Sequence, residues 1–348
     1  MRLIVLPGDG IGPEITEATQ AVLAAASERF QLGIEMVGDV MGHASIARYG
    51  VAARPELLDI VRAADGLLMG PSATFEYPEQ VGPSRFFRKE LDLFANIRPA
   101  RTYPGLPGRC GEMDLVIVRE NTEGFYADRN MEQNSGEILI TPEVAIAIRK
   151  ITYKGCERIM RAACELAMRR RRHVTIVHKA NALTLTDGMF LRICREVAAD
   201  FPEIAVDDVI VDAMMAHAVR NPGRFDVVVS TNMFGDILSD LTAELSGSLG
   251  MGGSVNAGRE HAMAQAAHGS APDIAGKDIA NPFSLVLSAA LLLDWHGRTR
   301  AQPRFIAAAA AIEAGVAEAV VAKETTGDVG GKLGTRATGA ALAARLRK

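Results

Sequence analysis

Several apolar runs in this chain end on charged side chains. Arg119 follows LVIV, Lys179 follows VTIVH, Asp212 follows VIV, and VVVSTN leads directly into MFGDILSD, which carries Asp236 and Asp240. In open α/β sheets, functional groups gather beyond the carboxyl ends of the strands. Asp236 and Asp240 are four residues apart, about 40° in azimuth on a helix, so both carboxylates share one face. With Asp212 they make an all-oxygen trio. Close like charges repel unless a cation lies between them, and carboxylates that leave room for water and substrate oxygens suit Mg²⁺ or Mn²⁺.

A second concentration of charge is SRFFRKELDLFANIRPAR, residues 84 to 101. Its spacing predicts a helix from Arg85 to Phe94, with Arg85, Arg88, Lys89 and Asp92 facing outward and Phe87, Leu91 and Phe94 packing opposite. Two small-residue loops could approach phosphate. In PGDGIGPE (7 to 14) the third glycine position of GxGxxG is Pro13, so the Rossmann fingerprint fails. In HGSAPDIAG (268 to 276), Asp273 could accept hydrogen bonds from ribose hydroxyls and repel a 2′-phosphate.

The elements that must position these groups are legible as an alternation. Short runs (LIVLP, GLLMG, DLVIVRE, VTIVHK, DDVIVDA, FDVVVSTN) are separated by longer Ala-rich helical segments, the pattern of an α/β fold with a largely buried sheet. At 348 residues, about two domains are expected. IRPARTYPGLPG (97 to 108) and SGSLGMGGSVNAG (246 to 258) are the candidate boundaries, as in a chain that crosses to a second domain and returns.

Acidic residues outnumber basic ones, 42 to 38, so RRRRH (169 to 173) lacks the electrostatic footprint of a nucleic-acid binder. FSLVLSAALLL (283 to 293) is too short to span a bilayer, and the start of the chain offers no secretory signal, so a cytoplasmic location is expected. Cys110, Cys156, Cys164 and Cys194 show neither CxxC spacing nor a disulfide framework, which predicts free thiols.

Taken in order, LPGDGIGPE, RKELDLFANIRP, VRENTEGFY, HKANAL, NMFGDILSDLTAELSGSLG and HGSAPDIAGKDIANP resemble the β-decarboxylating dehydrogenases over nearly the whole chain. That family holds isocitrate, isopropylmalate, homoisocitrate and tartrate/malate dehydrogenases. The resemblance implies a two-domain, three-layer α/β fold of the isocitrate/isopropylmalate dehydrogenase type, not a Rossmann fold. Residues 1–99 with 250–348 would bind cofactor, and 100–249 would form a central domain carrying the catalytic and metal residues and the dimer interface.

It further implies that Arg88, Arg98 and Arg119 clamp the two carboxylates of a malate core, where a planar fork pairs as Lys cannot. Arg85, one turn before Arg88, would read a third carboxylate on C3, so a substrate of isocitrate or homoisocitrate type is expected. Isopropylmalate or tartrate/malate oxidation, and a non-catalytic regulatory subunit, are the alternatives. Lys179 would be the base, with Asn181 beside it, and Tyr126 would protonate the product enolate. Asp212, Asp236 and Asp240 would hold the metal. Lys179 and Asp212 would serve the partner's site in a homodimer. His268, Gly269, Ser270, Ala271, Asp273 and Asn281 would bind NAD, with Asp273 selecting against NADP. Gln265 stands where the family usually has a glutamate.

Overall fold

The computed structural model describes residues 1–106, 109–126 and 136–348. The chain divides into two compact units, a terminal and a middle one. The terminal unit comprises Met1–Leu91, Thr102–Pro107 and Gly247–Lys348; the middle unit comprises Asp92–Arg101 and Gly108–Ser246. Arg98 therefore lies in the middle unit, inside a segment that a boundary at residue 99 would assign to the other. Strand pairing is the reason. β4 (Ala95–Arg101) runs antiparallel to β5 (Asp114–Glu120), from Ala95 opposite Glu120 to Arg101 opposite Asp114. The segment read as a boundary at 97–108 thus begins as a strand and ends on two residues outside those described.

In the middle unit the strand order is β4-β5-β10-β8-β9, where β8 is His173–His178, β9 is Ala205–Ile210 and β10 is Val227–Ser230. All neighbours from β5 to β9 are parallel. Alternate residues serve two cores. Val116, Val118, Val174, Ile176, Val227 and Val229 pack with α5 (Tyr153–Ala167) and α6 (Thr186–Ala198). Leu115, Ile117, Val177 and Val228 pack with α7 (Val211–Arg220) and α8 (Asn232–Ser246). Burial on both faces explains why these strands read as unbroken apolar runs, and each fully buried side chain contributes about 1.5–3 kcal/mol. Arg170 and Arg171 of the basic run are consumed in tying strand starts together: Arg170 Nε meets Asp226 Oδ1 at 2.7 Å, and Arg171 Nη2 donates to Phe225 O at 2.5 Å.

One ribbon stands apart from this sheet. Among the described residues β6 (Glu137–Thr141) and β7 (Val144–Ala147) pair only with each other, and every residue in both is exposed.

The terminal unit has β1 (Arg2–Leu6), β2 (Glu35–Gly38), β3 (Gly66–Met69), β11 (Val255–Ala257) and β12 (Ala262–Gln265) in the order β2-β1-β3-β12-β11. All neighbours are parallel except β11 and β12. Its long helices are α1 (Gly12–Phe30), α9 (Phe283–Thr299), α10 (Pro303–Val321) and α11 (Thr335–Leu346); the shorter ones are α2 (His43–Tyr49), α3 (Glu56–Arg62) and α4 (Pro83–Glu90). The apolar run at 283–293 is the buried start of α9, and no helix among the described residues is long and apolar enough to cross a membrane.

Two local expectations are corrected. The helix expected from Arg85 to Phe94 is α4, which ends at Glu90 because Asp92 adopts a left-handed φ of 46°. Arg88 is not on an outward face: it is buried beside Phe87, while Arg85 and Lys89 are exposed. The cysteines are free, and Cys156, Cys164 and Cys194 are buried. Burial pushes the Cys156 and Cys164 thiols up to about 12, so they are inert core residues.

Candidate active site

A buried polar cluster of the middle unit forms where α8 packs on β4 and β5. Asn96 lies opposite Arg119, and Arg98 opposite Ile117, so the period of two puts Asn96, Arg98 and Arg119 on one face of the sheet. α8 packs closely on that face at Gly235, where a Cβ would sit 2.9 Å from Cβ and Cγ of Arg119. The missing side chain is what lets the next residue, Asp236, reach the guanidinium.

Arg119 is 1% exposed. Its Nε donates to the backbone and side-chain oxygens of Asn232, each at 3.0 Å, and its Nη1 pairs with Asp236. Arg98 Nη1 meets Ser239 Oγ at 2.9 Å, Asp240 Oδ1 at 3.1 Å and Asp236 Oδ1 at 3.3 Å, while Arg98 Nε donates to Asn96 Oδ1 at 3.2 Å. The helical spacing thus does place Asp236 and Asp240 side by side. Two arginines expected at the substrate carboxylates are joined here to two aspartates expected at the metal.

Lys179 and Asp212 form a separate pair. β8 and β9 are parallel, with His178 opposite Ile210, so the residues that follow emerge side by side. Asp212 lies in the first turn of α7, where an N-terminal carboxylate is favoured, rather than on an extension of the strand. The Lys179 ammonium pairs with it and holds its carboxyl below the usual carboxylate range.

The expected trio does not close within one chain: no group of three His, Cys, Asp or Glu spaced to hold a metal occurs among the described residues. Strand order is the reason. β9 is two strands from β10, roughly 10 Å at ordinary strand spacing. For a hard divalent cation the donor chemistry of Asp236 and Asp240 is suitable, since one or two carboxylates with water and substrate oxygens complete such a site; the third carboxylate of the expected trio, Asp212, lies outside this cluster.

The turn carrying Tyr126 is fixed from behind. Buried Glu120 accepts from the N–H groups of Thr122 at 2.9 Å and Glu123 at 2.7 Å, and Glu123 accepts from Thr152 N at 2.9 Å. Desolvation raises the Glu120 pKa. Tyr126 is half-buried, and Asn181 is exposed on the turn after β8.

In the terminal unit, the two small-residue loops picked out by sequence meet. Ile11 N donates to Ser270 O at 2.9 Å, and Gly10, at φ 59°, approaches so closely that a Cβ would lie 2.0 Å from that oxygen. Asp9 fastens the same turn to the segment before α4, accepting from His43 N at 2.8 Å, Ala73 N at 2.9 Å and the Tyr77 hydroxyl at 2.7 Å. Along the second loop, His268 Nδ1 lies 3.0 Å from Gly269 O, and desolvation lowers the imidazole pKa. Gly269 and Asp273 are exposed, and Ala271 takes a left-handed φ of 38°. Asn281 donates from Nδ2 to Asp328 Oδ2 at 2.9 Å. Exposed backbone around a small-residue loop suits a phosphate, and the outward Asp273 carboxylate suits a ribose hydroxyl.

Gln265 ends β12, at the carboxyl end of a strand. Its Oε1 accepts from Arg88 Nη2 and from Ser84 Oγ, each at 3.1 Å. Arg85 is exposed.

Sequence reasoning missed Asn96, Asn232, Ser239 and Asp328. Asn96 had a signal, since it stands two residues before Arg98 and a strand puts such residues on one face. Asp328 had none, because nothing in the chain links it to Asn281 before folding.

A family model described as isocitrate/isopropylmalate dehydrogenase matches residues 2–342. An isocitrate/homoisocitrate dehydrogenase of Thermus thermophilus is 44% identical over 306 residues, covering 87% of this chain and 88% of that protein. A 3-isopropylmalate dehydrogenase of Saccharolobus solfataricus is 38% identical over 331 residues, covering 95% of each. The crystal structure of isocitrate dehydrogenase from Methylococcus capsulatus superposes with a TM-score of 0.89 at 38% identity, over 100% of this chain and 99% of that one. The whole chain, and with it the arginine–aspartate cluster, belongs to the isocitrate/isopropylmalate dehydrogenase family, oxidoreductases of the β-decarboxylating type.

Proposed function

We propose that the protein is an NAD- and divalent-metal-dependent dehydrogenase that oxidatively decarboxylates a 3-substituted malate of isocitrate or homoisocitrate type, working as a homodimer with shared sites. The observation that carries this reading is the cluster of Arg98 and Arg119 with Asp236 and Asp240. Two guanidiniums and two carboxylates sum to zero charge. A divalent cation with the two carboxylates of a malate core also sums to zero, so the set can exchange partners at constant net charge: aspartates to cation, guanidiniums to substrate.

A cation held by Asp236, Asp240 and Asp212 of the partner subunit would supply Lewis-acid polarisation of the substrate oxygens, and NAD would supply the hydride acceptor. The chain's own residues do the rest. Arg98 and Arg119 orient the core, Arg88 joins them, and Arg85 receives the third carboxylate. Lys179 takes the proton of the C2 hydroxyl, and Tyr126 delivers a proton to C3 after CO₂ leaves. The loop from His268 to Asp273, with Asn281, holds the dinucleotide.

Two observations support sharing between chains. Asp212 stands away from the other two aspartates, and the β6–β7 ribbon exposes apolar side chains, including Leu139 at 71% and Ile140 at 56%.

The test is turnover by the purified protein on isocitrate, homoisocitrate, isopropylmalate, tartrate and malate with Mn²⁺. The highest kcat/KM is expected on a tricarboxylate, lost in EDTA and restored by Mn²⁺. NAD is expected to be preferred over NADP by about tenfold, ~1.4 kcal/mol. A best substrate lacking the third carboxylate, or full activity without metal, would overturn it.

A further inference from the structure

The middle unit contains a buried cation to which neither the sequence motifs nor the proposed chemistry gives a role. Arg149 lies between the β6–β7 ribbon and α5, and its side chain is 7% exposed. Its Nη2 pairs with Asp187 Oδ1 at 2.6 Å and approaches Thr231 Oγ1 at 3.2 Å; its Nη1 donates to Thr186 Oγ1 at 2.7 Å. The guanidinium also lies over two rings, 5.5 Å from the centroid of Phe125 and 5.4 Å from that of Phe234.

Each of these partners adjoins a group with work to do. Asp187 is fully buried and, with its other oxygen, accepts from the backbone N–H of Lys179 at 2.8 Å. Phe125 precedes Tyr126 directly. Thr231 precedes Asn232, the residue that holds Arg119, and Phe234 follows it by two residues. One planar cation thus touches the turn before the proton-donating tyrosine, the carboxylate behind the lysine base, and the start of α8.

We propose that Arg149 is a positioning residue that sets Lys179 and Tyr126 together. Resting on the shared-site reading above, the two residues it positions serve different active sites of the dimer, so Arg149 couples those sites mechanically. The geometry favours this over a purely structural ion pair. Asp187 alone would neutralise the charge, yet the fork is also spread over two hydroxyls and two rings, and a guanidinium so fixed has one allowed orientation.

The test is Arg149→Lys, which keeps the buried charge opposite Asp187 but not the fork or the ring contacts. Two half-reactions are read: NADH formation for the lysine, and deuterium uptake at C3 of the 2-oxo acid product in D₂O for the tyrosine. Both rates are expected to fall at least about tenfold with KM values and the melting temperature little changed, since misplacement by about 1 Å can cost a hundredfold. If Arg149→Lys fails to fold, Arg149→Met with Asp187→Asn removes both charges and strands neither; since Asp187 itself holds the Lys179 N–H, C3 exchange is then the readout that reports the loss of Arg149, and unchanged C3 exchange overturns the proposal.

Mixed dimers then separate the two ends. Lys179→Ala chains supply the intact tyrosine, and Tyr126→Phe chains supply the intact lysine. Arg149→Lys is expected to slow NADH formation when placed in the lysine-supplying chain, and C3 exchange when placed in the tyrosine-supplying chain. Loss of thermal stability with both half-reactions intact, or loss of only one, overturns the proposal. Losses that fail to separate in active mixed dimers overturn the coupling. Mixed dimers inactive before Arg149 is touched would instead sink the shared-site reading, while the homodimer measurements still decide what Arg149 does.

Discussion

Arginines occupy very different environments in this chain. Arg98 and Arg119 are buried and bound to the acceptors of α8, Arg88 is buried against Gln265, and Arg85 is exposed one turn earlier on α4. Their substitution should therefore differ in kind. Arg85→Val removes an exposed cation from a helix whose packing rests on Phe87, so stability should change by no more than about 1 kcal/mol, the range of exposed pairs. If Arg85 reads a third carboxylate, kcat/KM for isocitrate and homoisocitrate should fall by roughly 2–5 kcal/mol in transition-state terms while isopropylmalate turnover is spared. Steady-state kinetics on the three substrates decides it, and an equal loss on all would make Arg85 structural. Gln265 is legible at this scale as well. Its Oε1 faces two donors, Arg88 and Ser84, so the amide orientation is fixed by chemistry, and a neutral side chain holds the guanidinium where a carboxylate would add a charge.

At the scale of elements, the cluster depends on how closely α8 approaches β5. Gly235 is the point of contact, and its missing Cβ rather than an unusual φ is what matters, since an added methyl would overlap the stem of Arg119. Gly235→Ala raises helix propensity by about 1 kcal/mol in isolation. Overpacking against a fully buried arginine should reverse that sign and cost about 1–3 kcal/mol net, with Asp236 displaced from Arg119. Chemical denaturation would show a lower midpoint, and activity should drop further than stability. A more stable variant would mean that the helix can retreat without cost. The same element explains why Asp236 and Asp240 were readable in advance: a four-residue spacing on a helix needs no tertiary information to share a face.

At the scale of the molecule, the β6–β7 ribbon is an apolar pair of strands that the other described residues leave exposed. Ile138, Leu139, Ile140, Val144 and Ile146 are each more than two-fifths exposed, on strands that pair with no other described element. Isolated two-stranded ribbons are marginal in water and seek a further face. Leu139→Lys should shift the protein toward monomer at micromolar concentration, as read by sedimentation velocity, and activity should fall in proportion if sites need residues from both chains. A Leu139→Lys protein that sediments as the parent does, or a fully active monomer, would remove the ribbon from the assembly argument.

The sequence by itself determined the α/β class, a largely buried sheet from its unbroken apolar runs, the free thiols, and the identity of the charges that follow or end those runs. All of these follow from local pattern or from the identity of a single residue. It misjudged the end of α4, where the left-handed Asp92 stops a helix whose apolar spacing continues, and it read β4 as a connection because its partner strand β5 lies more than a dozen residues away. Only the tertiary structure decided that Arg98 and Arg119 share a sheet face, that Asp236 and Asp240 meet them, that Asp212 stands with Lys179 instead, and that Arg149 reaches both the lysine and tyrosine turns. Those facts depend on strand order and helix packing, which bring together residues that no periodicity in the chain connects.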